Sequence, residues 1–245
     1  MLTHAPLLQL QRDLYDIPAG RKRFDNYIAT LRGANGEMEL PLSAMNPMAK
    51  EHVPNLLDDY LALGADGKAQ TIVNSLQPTY PFRQDEFRTV LVLADDEKGQ
   101  WTNRVATDFN HRFKSRPMFR RNWLIALLWS SERASELAIE NAIKLAVFRG
   151  LWIAEHGFAR TLEEMLDQEG YAQAQTGISP ELDEDELSYT AEVLEPILQN
   201  EDEPTQIAAF YGDPAAADLG LTQLGLSPNA GFELALVKHS LKSKN

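Results

Sequence analysis

The sequence predicts an α/β protein that is rich in helix, with a small, mostly parallel sheet of about three or four strands wrapped by many helices. Two observations lead to this prediction. Residues 87–94 and 122–129 are short, continuous apolar runs, as in strands that are buried on both faces of a sheet. Each run is followed by a charged turn and then by apolar residues at helical spacing. Two such units in succession predict neighbouring parallel strands joined by a right-handed crossover.

The chain ahead of the first strand is predicted to be largely helical. Four segments have apolar residues three or four positions apart and are predicted helices: 6–15, 21–32, 48–63 and 67–76. The first two form a helical hairpin in this interpretation. Residues 37–42 alternate between apolar and polar and predict a short strand, but Pro41 restricts it to a sheet edge or to a plain extended segment.

Helices also follow both strands. Trp101, Val105, Phe109 and Phe113 recur every four residues, which predicts a helix with one apolar stripe. Residues 132–155 carry one narrow polar stripe and are otherwise apolar, which predicts a long, mostly buried helix. Three more helices are predicted, at 160–170, 184–198 and 232–241, with a loop at 220–231.

Charge is distributed unevenly along the chain. The net charge is −13, yet residues 161–237 contain 17 acidic residues and no Lys or Arg, which leaves 19 acidic against 23 basic residues elsewhere. We therefore expect two regions, a mildly basic α/β core domain at 1–176 and an acidic helical C-terminal region at 177–245 that packs on the core. The acidic third forms a solvated face or pairs with a basic surface.

Composition excludes several classes of function. The chain has no cysteine, so it has no disulfides, thiol nucleophiles or cysteine-ligated metal centres. No secretory signal or membrane-spanning run is apparent, and we expect a cytoplasmic protein. Glycine-rich phosphate loops, nucleophile elbows and dinucleotide fingerprints are absent, and no histidine has zinc-ligand spacing.

The candidate site lies where the two predicted strands end. Ligands of open α/β sheets bind outside the carboxyl ends of adjacent strands. Adjacent carboxylates there can act as acid and base or hold a hard divalent metal, and Arg can pair with a phosphate or carboxylate. The predicted catalytic residues are Asp95, Asp96 and Glu132. The predicted ligand-binding residues are Asn103, Arg104, Ser131 and Arg133.

The same residues have a purely structural interpretation. The run from Asp95 to Gly99 has the composition of a solvent-exposed turn, and Ser130 or Ser131 can serve as the N-cap of the following helix. The first turn of the helix at 21–32 contains Arg21, Lys22 and Arg23, although acidic residues are preferred there. These cations indicate an anion site or are neutralised by nearby acids.

Residues 111–123 hold five basic and three aromatic residues, a composition that suits phosphate contacts and base stacking. The acidity of the whole chain and the apolar positions of Phe113 and Trp123 speak against nucleic acid. The triplet at 96–98 matches only the acidic-x-Lys half of the restriction-like nuclease motif, and Asp85 would have to supply the other half.

These features favour a cytoplasmic enzyme or small-ligand-binding protein with an acidic, arginine-lined pocket at the strand ends. Metal-assisted hydrolysis or group transfer is the reaction class that such a pocket allows. The alternative is a non-enzymatic interaction module that holds a protein partner with the basic segment 112–121 or with the acidic C-terminal third. Nucleic-acid binding or nuclease activity is the remote alternative, and no membrane partner is expected.

Overall fold

The computed structural model describes residues 1–33, 36–77, 86–97 and 102–242. Contacts between backbones group the chain into two compact units. Unit 1 consists of residues 1–107 and 115–147, and unit 2 consists of residues 108–114 and 148–245. The predicted fold class is confirmed, because the molecule is helix-rich with one small parallel sheet.

The sheet belongs to unit 1 and has three strands, β1 (Leu2–His4), β2 (Phe87–Ala94) and β3 (Trp123–Trp129). All pairs are parallel and β2 lies in the middle. The two predicted strands are therefore confirmed as parallel neighbours, and Ala94 pairs with Trp129 at their carboxyl ends. The sequence did not locate β1, because three residues are too short for a periodic pattern.

In the described residues, the helices that begin in unit 1 are α1 (Leu8–Asp13), α2 (Arg21–Leu31), α3 (His52–Ala62), α4 (Ala65–Leu76), α5 (Arg104–Phe113), α6 (Arg116–Phe119) and α7 (Glu136–His156). The last parts of α5 and α7 belong to unit 2. Residues 37–42 form no strand, and the β pairing in this segment is an isolated antiparallel bridge between Arg32 and Met38. Trp101, placed by the sequence on the stripe of α5, lies outside the described residues.

Helix α1 is joined to the sheet through Gln11, whose side chain is completely buried. Strand β1 pairs only with the first three residues of β2. Farther along the same edge, Gln11 Nε2 donates to Leu91 O (2.8 Å) and Gln11 Oε1 accepts from Leu93 N (3.0 Å). The side-chain amide thus satisfies backbone groups that would otherwise be buried without partners.

Unit 2 contains α8 (Leu162–Gln173), α9 (Glu184–Leu194), α10 (Glu203–Asp218) and α11 (Ala230–Lys242). The sequence did not predict α10. Residues 206–212 are all buried, so they show no alternation between an apolar and a polar face, and Gly212 (φ 77°) and Pro214 interrupt the helix. Helix α11 begins at Ala230, inside the segment predicted as a loop.

The acidic residues of unit 2 cluster at helix starts. Asp183 accepts from Glu186 N (2.9 Å) and Asp202 accepts from Thr205 N (3.1 Å), so each caps a helix. Helix α8 begins with a capping box formed by Thr161 and Glu164. Negative charge in the first turn also interacts favourably with the positive end of the helix dipole. Part of the acidity of this region therefore stabilises its own helices.

A second group of charges lies inside unit 2, and we call Asp108, Arg112, Arg149, Glu169 and Tyr211 the Glu169 network. Glu169 is 0% exposed and pairs with Arg112 and with Arg149 Nε (2.6 Å). Asp108 Oδ2 accepts from Arg112 Nε (2.6 Å) and from the Tyr211 hydroxyl (2.8 Å). The guanidinium of Arg112 also lies over the Phe232 ring, 4.5 Å from its centroid.

Helix α11 packs against α8 within unit 2, so the compact units have different bounds from the domains 1–176 and 177–245. The division into a core domain at 1–176 and an acidic C-terminal region at 177–245 that packs on it stays a prediction. None of the helices in the described part of the chain combines the length and apolar composition of a bilayer span.

Candidate functional site

The loops after β2 and β3 leave the sheet at the same edge. The first residue after β3 is held to the last residue of β2, because Ser130 N donates to Ala94 O (3.0 Å). Residues 95–97 and 130–133 are consequently neighbours, as the parallel arrangement predicts.

Asp95 is the most buried carboxylate at this edge, with 1% of its surface exposed. Its Oδ1 accepts from His52 Nε2 (2.8 Å) and Ser130 Oγ (3.0 Å), and its Oδ2 accepts from Asn46 Nδ2 (2.7 Å). Burial by itself raises the pKa of Asp95, but these hydrogen bonds outweigh it and hold the pKa below its ordinary value. Asp95 is therefore an ionised, buried acceptor and not part of a solvent-exposed turn.

His52 comes from the first turn of α3 and is oriented by Asp95. An ionised carboxylate can only accept, so Nε2 carries a proton, and a ring with this tautomer has Nδ1 as its second nitrogen. Nδ1 is buried and has no hydrogen-bond partner among the described residues. The ring as a whole is 13% exposed. In the His52 ring, Nε2 is thus fixed by a carboxylate and Nδ1 has no hydrogen-bond partner among the described residues.

Asn46 holds the other oxygen of Asp95 in place. Its Oδ1 accepts from Met48 N (2.9 Å), which fixes the direction of the amide, and its backbone oxygen accepts from the Tyr15 hydroxyl (2.6 Å). Neither Asn46 nor Tyr15 was a predicted site residue. Both are separated from Asp95 by long stretches of chain, and no local spacing could have indicated them.

Ser130 connects Asp95 with Asp96. Its hydroxyl accepts from Asp96 N (3.0 Å) and Glu97 N (3.2 Å), and it lies within hydrogen-bond distance of Asp95 Oδ1 (3.0 Å) and Asp96 Oδ1 (3.1 Å). A hydroxyl has only one hydrogen, so it can donate to only one of the two carboxylates at a time. Ser130 is 9% exposed and is part of the loop structure and not a helix cap.

Arg104 closes the outer side of the site. It donates to Asp96 Oδ2 (3.0 Å), to Ser131 Oγ (2.9 Å) and to Glu132, and its guanidinium lies 4.8 Å from the centroid of the Trp129 ring. Ser131 also donates to Asp96, through its backbone N (2.9 Å) and its hydroxyl (2.8 Å). We call Asp96, Arg104, Ser131 and Glu132 the Arg104 network. Four of the seven predicted residues thus form one hydrogen-bonded group.

Apart from Asp95, two predicted residues lie outside this network, and they make fewer contacts. Asn103 caps α5, since its Oδ1 accepts from Ala106 N (2.9 Å), and Arg133 is exposed. The residue that caps the start of α7 is Ser135, which accepts from Ala138 N (3.1 Å). Ser130 and Ser131 are therefore free of the capping role that the alternative interpretation assigned to them.

A cavity of about 740 Å³ opens beside these loops, between them and α3, and we call it the strand-end pocket. Predicted residues in its wall are Ser131, Glu132 and Arg133. Asp95, Asp96, Asn103 and Arg104 stand behind or beside the wall and do not line it. Its wall also includes residues that were not among the predicted site residues, such as His52, Asn55, Leu56, Asp59 and Leu63.

Donors already occupy the carboxylates at the strand ends, because both oxygens of Asp95 and of Asp96 accept hydrogen bonds. In the described part of the chain no three His, Asp or Glu side chains are placed to hold a metal ion. The divalent metal in the sequence prediction stays untested. Lys98 and Asp85 of the partial nuclease motif lie outside the described residues.

Several cations of the basic segment 112–121 form ion pairs with carboxylates of the unit to which they belong. Arg112 belongs to the Glu169 network, and Lys114 pairs with Glu203 in unit 2. In unit 1, Arg121 pairs with Glu37 (2.8 Å). These ion pairs reduce the positive charge that the segment offers to a nucleic acid or to an acidic partner.

Comparison of the chain with protein families, with curated proteins and with solved structures finds no match.

Proposed function

We propose that this protein binds a small polar molecule in the strand-end pocket and that His52, held by Asp95, exchanges a proton with it. The observation that carries the proposal is the hydrogen bond between the buried Asp95 carboxylate and His52, a residue of the pocket wall. A carboxylate that fixes the tautomer of a histidine is a common arrangement for general acid–base catalysis. The reaction class is hydrolysis or group transfer.

The charge and polarity of the pocket wall favour a particular kind of ligand. Asp59, Glu97 and Glu132 contribute three carboxylates against one guanidinium, that of Arg133. Apolar surface comes from Leu56 and Leu63. This lining favours a molecule with hydroxyl or amino groups and an apolar part over an anion.

Proton exchange requires a movement, because Nδ1 of His52 is shielded from solvent. The ligand has to reach Nδ1 after a shift of the ring or of the neighbouring loop. Such tightening of catalytic contacts upon binding is usual.

The first experiment is a binding screen with small amines, polyols and amino sugars, followed by ¹⁵N chemical shifts of Ser131 and Arg133. Compounds that shift these amides are then tested for turnover. In His52→Gln the side-chain amide can still donate to Asp95 but cannot titrate. We expect it to bind within about threefold of the parent and to lose turnover by about 10²–10⁴-fold.

His156→Gln, at an exposed histidine of α7, is the matched control and should change neither quantity. The proposal fails if no compound shifts the pocket amides, or if His52→Gln turns over a bound compound at the parent rate.

The alternative of a protein-interaction module has less support, since the cations Arg112, Lys114 and Arg121 already have carboxylate partners. A cytoplasmic location remains part of the proposal and rests on the cysteine-free composition.

A further inference from the structure

A second cavity in unit 1, of about 630 Å³, lies between α1, the start of α2 and the residues that lead into α3. We call it the Arg23 pocket. Its charged wall residues are Arg12, Asp16, Arg23, Lys50 and Glu51, and its other wall residues include Tyr15, Met48 and Asn55. None of its residues except Asn55 lines the strand-end pocket.

Arg23 is buried in an unusual way. It is only 7% exposed, and its donors contact backbone carbonyls: Nε to Ile17 O (2.5 Å), Nη2 to Tyr15 O (3.2 Å) and Nη1 to Pro47 O (3.4 Å). The guanidinium also lies 5.3 Å from the centroid of the Tyr15 ring. Among the described residues no carboxylate pairs with it. Buried cations are normally paired, since removing an uncompensated charge from water is costly.

The other cations near this pocket show the difference. Arg12 is neutralised by Asp16 (2.7 Å) and Asp58 (2.7 Å), and Arg21, on the same turn as Arg23, pairs with Asp25 (2.8 Å). Lys50, in contrast, is exposed and has no carboxylate within ion-pair distance in the described part of the chain.

Positive charge therefore remains in the wall. Arg12 and Asp16 pair with each other. The other charged wall residues are two cations, Arg23 and Lys50, and one acid, Glu51. A guanidinium offers five N–H donors in a planar fork, and the three carbonyl contacts leave part of that fork unused. The fork matches the oxygens of a carboxylate or a phosphate.

We propose that the Arg23 pocket binds the oxyanion group of a small molecule, a carboxylate or a phosphate, with Arg23 and Lys50 as its charge partners. This site is separate from the acidic strand-end pocket and would hold a second ligand or an effector. It gives a role to one of the three cations that the sequence places in the first turn of α2, where they disfavour the helix.

The test is an NMR titration of the ¹⁵N-labelled full chain with inorganic phosphate and, separately, with succinate at constant ionic strength. We expect saturable shifts at Tyr15, Lys50 and Glu51 with a Kd on the order of 1 mM for at least one probe. The tighter probe identifies the class of oxyanion.

The deciding variant is Lys50→Glu, at an exposed side chain where we expect a substitution to leave the fold intact. We expect it to weaken binding at least about tenfold, as one lost ion pair to a bound anion does. Lys22→Glu makes the same charge change on α2, outside the pocket wall, and should weaken binding less than about twofold. Arg23→Lys, checked by circular dichroism, keeps the charge but loses the fork and should weaken binding about fivefold.

Absence of saturable shifts with both probes would overturn the proposal. An equal loss in Lys22→Glu and Lys50→Glu would also overturn it, since that result indicates general attraction of anions. Repeating the titration with His52→Gln separates this proposal from the previous one, because anion affinity should not change when proton exchange is removed.

Discussion

Each unit contains a network in which arginine pairs with carboxylates, and the two networks differ in their surroundings. In the Arg104 network of unit 1, Arg104 and Glu132 are 45% and 46% exposed, and a cavity lies next to them. In the Glu169 network of unit 2, Glu169 is 0% exposed and lies between two guanidiniums. Similar ion pairs thus occur in an accessible and in an enclosed setting.

The comparison separates two properties of ionisable groups, a strongly perturbed pKa and access to a cavity. Burial favours a higher pKa for Glu169, but Arg149 and Arg112 outweigh it and hold the pKa below the ordinary value. Burial and the neighbouring Asp108 also raise the pKa of Tyr211. Neither residue lines either cavity described above, so we assign the Glu169 network to stability. Access to a cavity is what distinguishes the site in unit 1.

The largest expected effect comes from breaking the enclosed network. Glu169→Gln leaves Arg112 and Arg149 buried with less negative charge, and we expect the free energy of unfolding to fall by about 3–5 kcal/mol. Urea denaturation followed by circular dichroism measures this change. Glu201→Gln, which removes an exposed partner of Arg160, is the control and should cost about 0–1 kcal/mol. Equal losses in both variants would refute the contrast between enclosed and exposed pairs.

The next effect is a pH dependence that comes from His111, a neighbour of Asp108 in the enclosed network. Burial lowers the pKa of His111 to about 4 from its ordinary 6.5, so between these values the unfolded chain binds a proton that the folded chain excludes. The contribution of His111 to the free energy of unfolding is therefore complete above pH 6.5. It is lost as the pH drops towards 4, by about 2–3 kcal/mol. His111→Gln should flatten this decline in urea titrations at pH 6.5, 5.5 and 4.5. An unchanged slope in that variant would contradict the assignment.

Packing in unit 2 gives a smaller effect. A β-carbon at Gly170 would lie 2.3 Å from the backbone oxygen of Ala235, so α8 and α11 approach closely there. Gly170→Ala should lower the free energy of unfolding by about 1–3 kcal/mol. Gly67, in α4 of unit 1, has open space around it, and Gly67→Ala should raise stability by up to about 1 kcal/mol. Thermal denaturation of both variants compares the two positions, and a stabilising Gly170→Ala would show that the helices can separate.

The smallest effect is expected in the accessible network. Glu132→Gln removes one half-exposed partner of Arg104, and the free energy of unfolding should change by less than about 1 kcal/mol. Its effect should instead be seen in the strand-end pocket, as a changed affinity for any compound that the screen identifies. A loss of stability as large as that of Glu169→Gln would remove the distinction between the two networks.

Part of the site could be predicted from local sequence. The apolar runs that became β2 and β3 indicated two neighbouring parallel strands, and the strand-end rule then placed Asp96, Arg104, Ser131 and Glu132 together. Segments without a local pattern were missed: β1 has three residues, and α10 is too uniformly buried to show helical periodicity. Their positions depend on neighbours that the sequence does not reveal.

The sequence by itself determined the helix-rich α/β class, strands β2 and β3 and the residue types that follow them, because hydrophobic periodicity and chain connectivity are local properties. Only the tertiary structure decided that Asp95 accepts from His52 and Asn46, that Arg23 is buried without a carboxylate and that Glu169 is enclosed by two arginines. Those contacts join residues far apart in the chain, and their existence depends on which side chains packing brings together and removes from water.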